Sequence, residues 1–167
     1  MKKLLLLLLF VPLVSFGQTA EDYFNSGNYK FTKNNYFGAG AIADYSKAIE
    51  LDPEYAAAYS NRGIAKSDLK DYYGAIADYT KAVEINPDYA DAYSNRGVAK
   101  ADLKDYYGAI ADYSKAIELE PDYTTAYNNR GIAKYYLKDI KGSCADMRKA
   151  ISLGFTDNVD AVKENCN

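Results

Sequence analysis

The sequence predicts an all-helical solenoid built from four helix pairs, and three observations carry that prediction. Pro53, Pro87 and Pro121 are evenly spaced, and most residues between them recur at the same offset. The recurring segments are rich in Ala and place apolar residues at helical spacing. Beyond Gly17, proline occurs only at these three junctions, where a helix has to stop.

The amino terminus comes first. Met1, Lys2 and Lys3 precede an apolar run from Leu4 to Val14, 11 residues long. A run of that length cannot span a hydrocarbon core of about 30 Å as a helix, but it suits the core of a signal peptide. Ser15 and Gly17 supply small residues at the minus-three and minus-one positions of a cleavage site before Gln18. No cysteine lies near this junction, so the expectation is a signal peptide over 1–17 and a soluble exported protein, with no membrane insertion after cleavage. An uncleaved anchor is the alternative.

The repeat follows over 18–155. Tyr59, Asn61, Arg62, Gly63, Ala65 and Lys66 return as Tyr93, Asn95, Arg96, Gly97, Ala99 and Lys100, and again as Tyr127, Asn129, Arg130, Gly131, Ala133 and Lys134. Upstream, Tyr23, Asn25, Gly27 and Lys30 match at an offset of 36, with Ala39 and Gly40 as the two extra residues. The copies run at about 20–55, 56–89, 90–123 and 124–155. In the last, Gly154 and Phe155 replace the proline turn.

Within a copy, Ala58, Arg62, Ala65 and Leu69 form one helical stripe, and Ile76, Tyr79, Ala82 and Val83 form a second after a turn at Lys70-Asp71. The second helix is expected to stop near Ile85, because Pro87 cannot continue it and biases Asn86 toward extended backbone. Neither helix buries its apolar stripe alone, so the copies have to stack. The tail, 156–167, offers Asp157 or Asn158 as an N-cap with Val159 and Val162 at helical spacing, and is expected to form a short capping helix.

Composition limits the function classes. The chain of 167 residues is 49 % apolar and 26 % charged, with a net charge of −3 and neither His nor Trp. That balance suits a folded chain and lacks the basic stripe that nucleic acid requires. Without His, the commonest general base and imidazole metal ligand are missing. No Gly-rich phosphate loop, metal-ligand cluster or activated nucleophile is present, so no catalytic residue, cofactor or metal is expected.

Several repeated residues are candidates for specific roles. Arg62, Arg96 and Arg130 lie on apolar stripes, where a guanidinium needs an acceptor. The repeated acids of the second helix, Asp44, Asp78, Asp112 and Asp146, are expected to provide it, within a copy or from the copy before. With three arginines and four aspartates, either Asp44 or Asp146 is left over. Cys144 replaces the Ile seen at Ile76 and Ile110, and in an oxidising compartment it is expected to pair with Cys166. The 18 tyrosines are read mainly as packing residues. Tyr135 and Tyr136 depart from the repeat and are expected to line a groove near its C-terminal end.

Gly63, Ala75, Tyr79, Ala82 and Pro87, with Gly97, Ala109, Tyr113, Ala116 and Pro121, resemble the tetratricopeptide repeat family, whose period of about 34 residues is the one seen here. The Asn-Arg-Gly tripeptide is similar to one subgroup of that family. The resemblance implies a right-handed superhelical array whose concave groove binds a peptide or protein partner, as part of a larger assembly where it has one. It also implies that Asn25, Asn61, Asn95 and Asn129, one per copy, form a ladder gripping peptide backbone. A helix turns about 100° per residue, so an Asn beside each stripe arginine faces one edge of the packed face. Such an amide can instead cap or bridge neighbouring copies. The rival reading of the whole chain is a structural subunit of an envelope or secretion assembly, working through its cap and convex face.

Overall fold

The computed structural model describes residues 17–33, 38–157 and 166. The segment expected to be a signal peptide lies almost entirely outside these residues, as does the expected capping helix from Asn158 onward. The described residues form eight α-helices and no strand: α1 (Ala20–Lys33), α2 (Gly38–Leu51), α3 (Ala56–Asp68), α4 (Tyr72–Ile85), α5 (Ala90–Asp102), α6 (Tyr106–Leu119), α7 (Thr124–Tyr136) and α8 (Ile140–Ser152).

Each turn follows from its residues. Asp71, Asp105 and Asp139 cap α4, α6 and α8 by accepting from the backbone N–H groups of Gly74, Gly108 and Gly142 at 3.0, 2.9 and 2.9 Å. Before each cap the chain reverses at Lys70, Lys104 and Lys138, with φ of 63°, 64° and 66°. The second helices stop as expected: α4 ends at Ile85, and Asn86 is extended at φ −125° ahead of Pro87. At the last junction Gly154, with φ 101°, takes over the terminating role.

The core is made of small residues and, in each of the first three copies, one buried ring; Met147 takes that register in the fourth. Ala58, Ala65, Ala75, Ala82 and their counterparts are buried, and Tyr45, Tyr79 and Tyr113 are among the largest fully enclosed or nearly enclosed side chains. Gly63 makes room for one of these rings: a Cβ there would lie 2.7 Å from Cε1 of Tyr79. Leu69, counted in the sequence stripe, is instead 54 % exposed at the C-cap of α3, whereas its counterparts Leu103 and Leu137 at the C-caps of α5 and α7 are half-buried.

Each helix packs against its predecessor and successor in the chain. Beyond that, α1 touches α3, α3 touches α5 and α5 touches α7, whereas α2, α4, α6 and α8 do not touch one another. The first helices of the pairs are therefore crowded together on the inside of a curve, and the second helices splay on its outside. This curvature makes the inner wall of α1, α3, α5 and α7 a groove.

Candidate binding groove

The repeated arginines turn out to be part of the scaffold beneath the groove. Arg96 donates from Nε and Nη2 to both carboxylate oxygens of Asp112, at 2.9 and 2.7 Å, and from Nη1 to Thr80 of the preceding copy at 3.1 Å. Arg62 and Arg130 repeat the pattern on Asp78 with Ser46 and on Asp146 with Ser114. Lys66, Lys100 and Lys134 reach the same aspartates at 2.7 Å. Each guanidinium also lies over the tyrosine ring one helical turn before it, at 5.4 to 5.5 Å. The pairing is thus within a copy, and Asp44 is the acid without an arginine. Ser26 stands at the arginine register of α1, and Asp44 is held by Ser26 and Lys30, both at 2.6 Å.

On the inner wall the asparagines diverge. Asn61 and Asn129 line two cavities of about 240 and 360 Å³. Asn95 is half-buried on α5, and Asn25 is exposed on α1. The smaller cavity lies between the first and second copies, lined by Asn28, Phe31, Thr32, Tyr45, Asn61 and Ile64. Asn28 Oδ1 accepts from Asn61 Nδ2 at 2.8 Å and from the Tyr45 hydroxyl at 2.9 Å. Burial pushes the Tyr45 phenol pKa up, against the lowering effect of Asn61.

The larger cavity occupies the same register two copies later. Val98, Asn129 and Ile132 replace Asn28, Asn61 and Ile64, and Tyr113 replaces Tyr45. Its C-terminal wall is aromatic: Tyr136 stacks on Tyr106, with centroids 4.8 Å apart and planes 6° from parallel. Asp102 and Lys104 complete the lining. Tyr136 belongs to this wall, while Tyr135 stands 54 % exposed with its ring edge-on to Tyr136 and Lys138 over its face.

Asn28, Tyr106 and Thr32 were not picked out from the sequence. A signal existed for Asn28, since it stands where the later copies have Ile64, Val98 and Ile132, and a polar residue at an apolar register calls for a reason. Tyr106 matches Tyr72 and carried no such mark.

At the far end of the stack Cys144 and Cys166 are joined in a disulfide, with Cα atoms 5.5 Å apart. Arg148 donates to the Cys166 carbonyl beside it. Among the described residues, no group of three or more Cys, Asp or Glu side chains is placed to hold a metal ion. None of their helices is long and apolar enough to cross a membrane.

Comparison with known families agrees with this architecture. The tetratricopeptide repeat model matches residues 90–123, and a TPR repeat model matches 38–70 and 66–104, so that together they span more than half of the chain. The chain belongs to the tetratricopeptide repeat family. Among solved structures, this tetratricopeptide array is similar to MamA, with a TM-score of 0.76 and 25 % identity, over 80 % of this chain and 77 % of that one. It is also similar to the first TPR of Spaghetti (RPAP3) bound to the HSP90 peptide SRMEEVD, with a TM-score of 0.70 and 32 % identity, over 72 % of this chain and 94 % of that one. The first TPR domain of human RPAP3 gives a TM-score of 0.69 and 31 % identity over the same shares. No curated protein matches the chain.

Proposed function

We propose that the protein is an exported interaction module that holds an extended peptide or protein segment along the inner wall of its first helices. The observation that carries this reading is the pair of cavities at one register, two copies apart, each walled by an asparagine of the ladder. Tetratricopeptide domains bind peptide or protein partners, and the similar first TPR of Spaghetti (RPAP3) does so in a solved complex. An amide offers a donor and an acceptor side by side, which matches the N–H and C=O of extended backbone. Export is read from residues 1–17, whose charged start, apolar run and small cleavage residues suit a signal peptide.

The test replaces Asn61, Asn95 and Asn129 together with Ala. At about 1 kcal/mol per lost hydrogen bond, binding of a partner captured by the unaltered protein should weaken by tenfold or more with helicity unchanged. Early melting would make the ladder structural, and unchanged binding would remove the groove as the working surface. Mass spectrometry of the protein from its native envelope fraction checks export: a chain beginning at Gln18 is expected, and one retaining Met1 would contradict it.

A further inference from the structure

The two cavities differ in chemistry, and that difference bears on the class of segment bound. In the first, Asn28 replaces an apolar residue and bonds Asn61 and Tyr45, so a hydrogen-bonded amide pair is set into an otherwise mostly apolar lining with Phe31 and Ile64 and no charged side chain. In the second, Val98, Ile132 and Ala133 form an apolar floor, and the stacked Tyr106 and Tyr136 close one end. Tyr136 is half exposed at 56 % and stands where the earlier copies have Asp68 and Asp102, so the aromatic wall is peculiar to this end of the groove. The space of about 360 Å³ is ample for one large side chain.

Charge narrows the class further. The cations of α3, α5 and α7 point at buried acids: Arg62 and Lys66 at Asp78, Arg96 and Lys100 at Asp112, Arg130 and Lys134 at Asp146. In the lining of the second cavity Lys104 is matched by Asp102, and one copy earlier the exposed Asp68 and Lys70 stand at the same two registers and match each other. No surplus of positive charge faces the groove among the described residues that line it.

On the reading that this groove binds peptide, we propose that its ligand is an extended, uncharged or basic segment that seats one large aromatic side chain against Tyr136 and Tyr106. The same segment presents backbone or a polar side chain to Asn28 and Asn61. Neighbouring first helices lie roughly 10 Å apart. The two cavities are two such steps apart, and extended chain rises about 3.3 Å per residue, so the anchors are roughly six residues apart. This chemistry is opposite to that of SRMEEVD, the acidic peptide in the similar Spaghetti (RPAP3) complex.

Fluorescence polarisation with labelled octapeptides tests it. The probes carry Phe or Ser at the anchor position in a Lys/Ser or a Glu/Ser background, with SRMEEVD alongside. The Phe octapeptide in the Lys/Ser background should bind about tenfold or more tighter than its Ser counterpart, because burial of one large side chain has that effect. It should also bind tighter than both acidic probes. Tyr136→Asp should erase the preference for Phe, while Tyr73→Ser, on an exposed tyrosine outside both cavities, should leave it intact. Asn28→Ile should weaken the octapeptide and not a tetrapeptide around the same Phe. Tighter binding of SRMEEVD or the Glu background overturns the proposal, as does a Phe preference indifferent to Tyr136. Binding of every probe without preference overturns it while sparing the groove, and binding of none overturns the groove reading as well.

Discussion

Arg96 sits with 15 % of its side chain exposed, over an aspartate with 6 %. At that depth a lone charge costs several kcal/mol, so the pair holds only because every charge on it has a partner. Arg96→Met leaves Asp112 with Lys100 alone and removes the bond to Thr80 in the preceding copy. It should destabilise by roughly 3 kcal/mol in chemical denaturation. The triple variant Arg96→Met/Lys100→Met/Asp112→Leu, which removes every charge of the cluster, should recover much of that loss, and a triple variant as unstable as the single would mean that packing rather than charge sets the cost. The buried tyrosines make a second prediction at this scale. Burial pushes the phenol pKa of Tyr79 and Tyr113 well above its ordinary value, and that of Tyr123 up to about 12, where its bond to Asp91 adds to the effect. An unfolded phenol ionises near pH 10, so the folded state keeps protons that the unfolded state has lost. Stability from these groups is fully present below about pH 10 and falls as pH rises through the folded values. The urea midpoint should drop between pH 9 and 11, with the late 295 nm tyrosinate signal appearing together with unfolding. A constant midpoint would contradict the burial.

At the scale of the helix, the caps are the positions to test. Asp105 accepts from the Gly108 N–H and closes the first turn of α6, so Asp105→Ala should cost about 1 kcal/mol in thermal or urea melts. No change would mean that packing of α6 alone sets its start. These termini also show how far the sequence could be read. Pro87 and Pro121 located the ends of α4 and α6 because proline is incompatible with a continuing helix, whatever its tertiary setting. The left-handed turns at Lys70, Lys104 and Lys138 were not legible, since lysine carries none of the glycine or asparagine signal for that conformation. The arginine and aspartate sets were legible from their repetition, but their pairing was not. Arg62 has Asp78 ahead of it and Asp44 behind it at nearly equal distances along the chain, so either acid can face the guanidinium until the helices are packed. The groove was legible only in part. Asn61 and Asn129 could be placed by helical turn, whereas the meeting of Tyr106 with Tyr136 depends on how α6 crosses α7.

For the whole molecule, contacts run only between elements next to each other along the stack, so stability is a sum of copies and of the seams between them. The ends then need their own solutions. At the amino-terminal end, Asp22 and Tyr29 stand where later copies have the buried Ala58 and Ala65, which gives α1 an outer face unsuited to another copy. At the other end the seam itself changes character. Ile42, Ile76 and Ile110 each pack against the buried cluster that contains the next copy's alanine: Ala65, Ala99 and Ala133. Cys144 occupies the same position in α8, and the disulfide to Cys166 puts a covalent link where the others have an apolar contact. The bond closes a separation of 22 residues, so reducing it should cost roughly 3 kcal/mol in the chain-entropy description. In a stack with neighbour contacts only, that loss should stay local. Hydrogen exchange after reduction, or in Cys144→Ser/Cys166→Ser, should show α7 and α8 losing protection while α1 to α4 keep theirs. Equal loss along all eight helices would mean that the array unfolds as one cooperative unit. Unchanged protection in α8 would mean that the disulfide contributes nothing to holding the end of the stack.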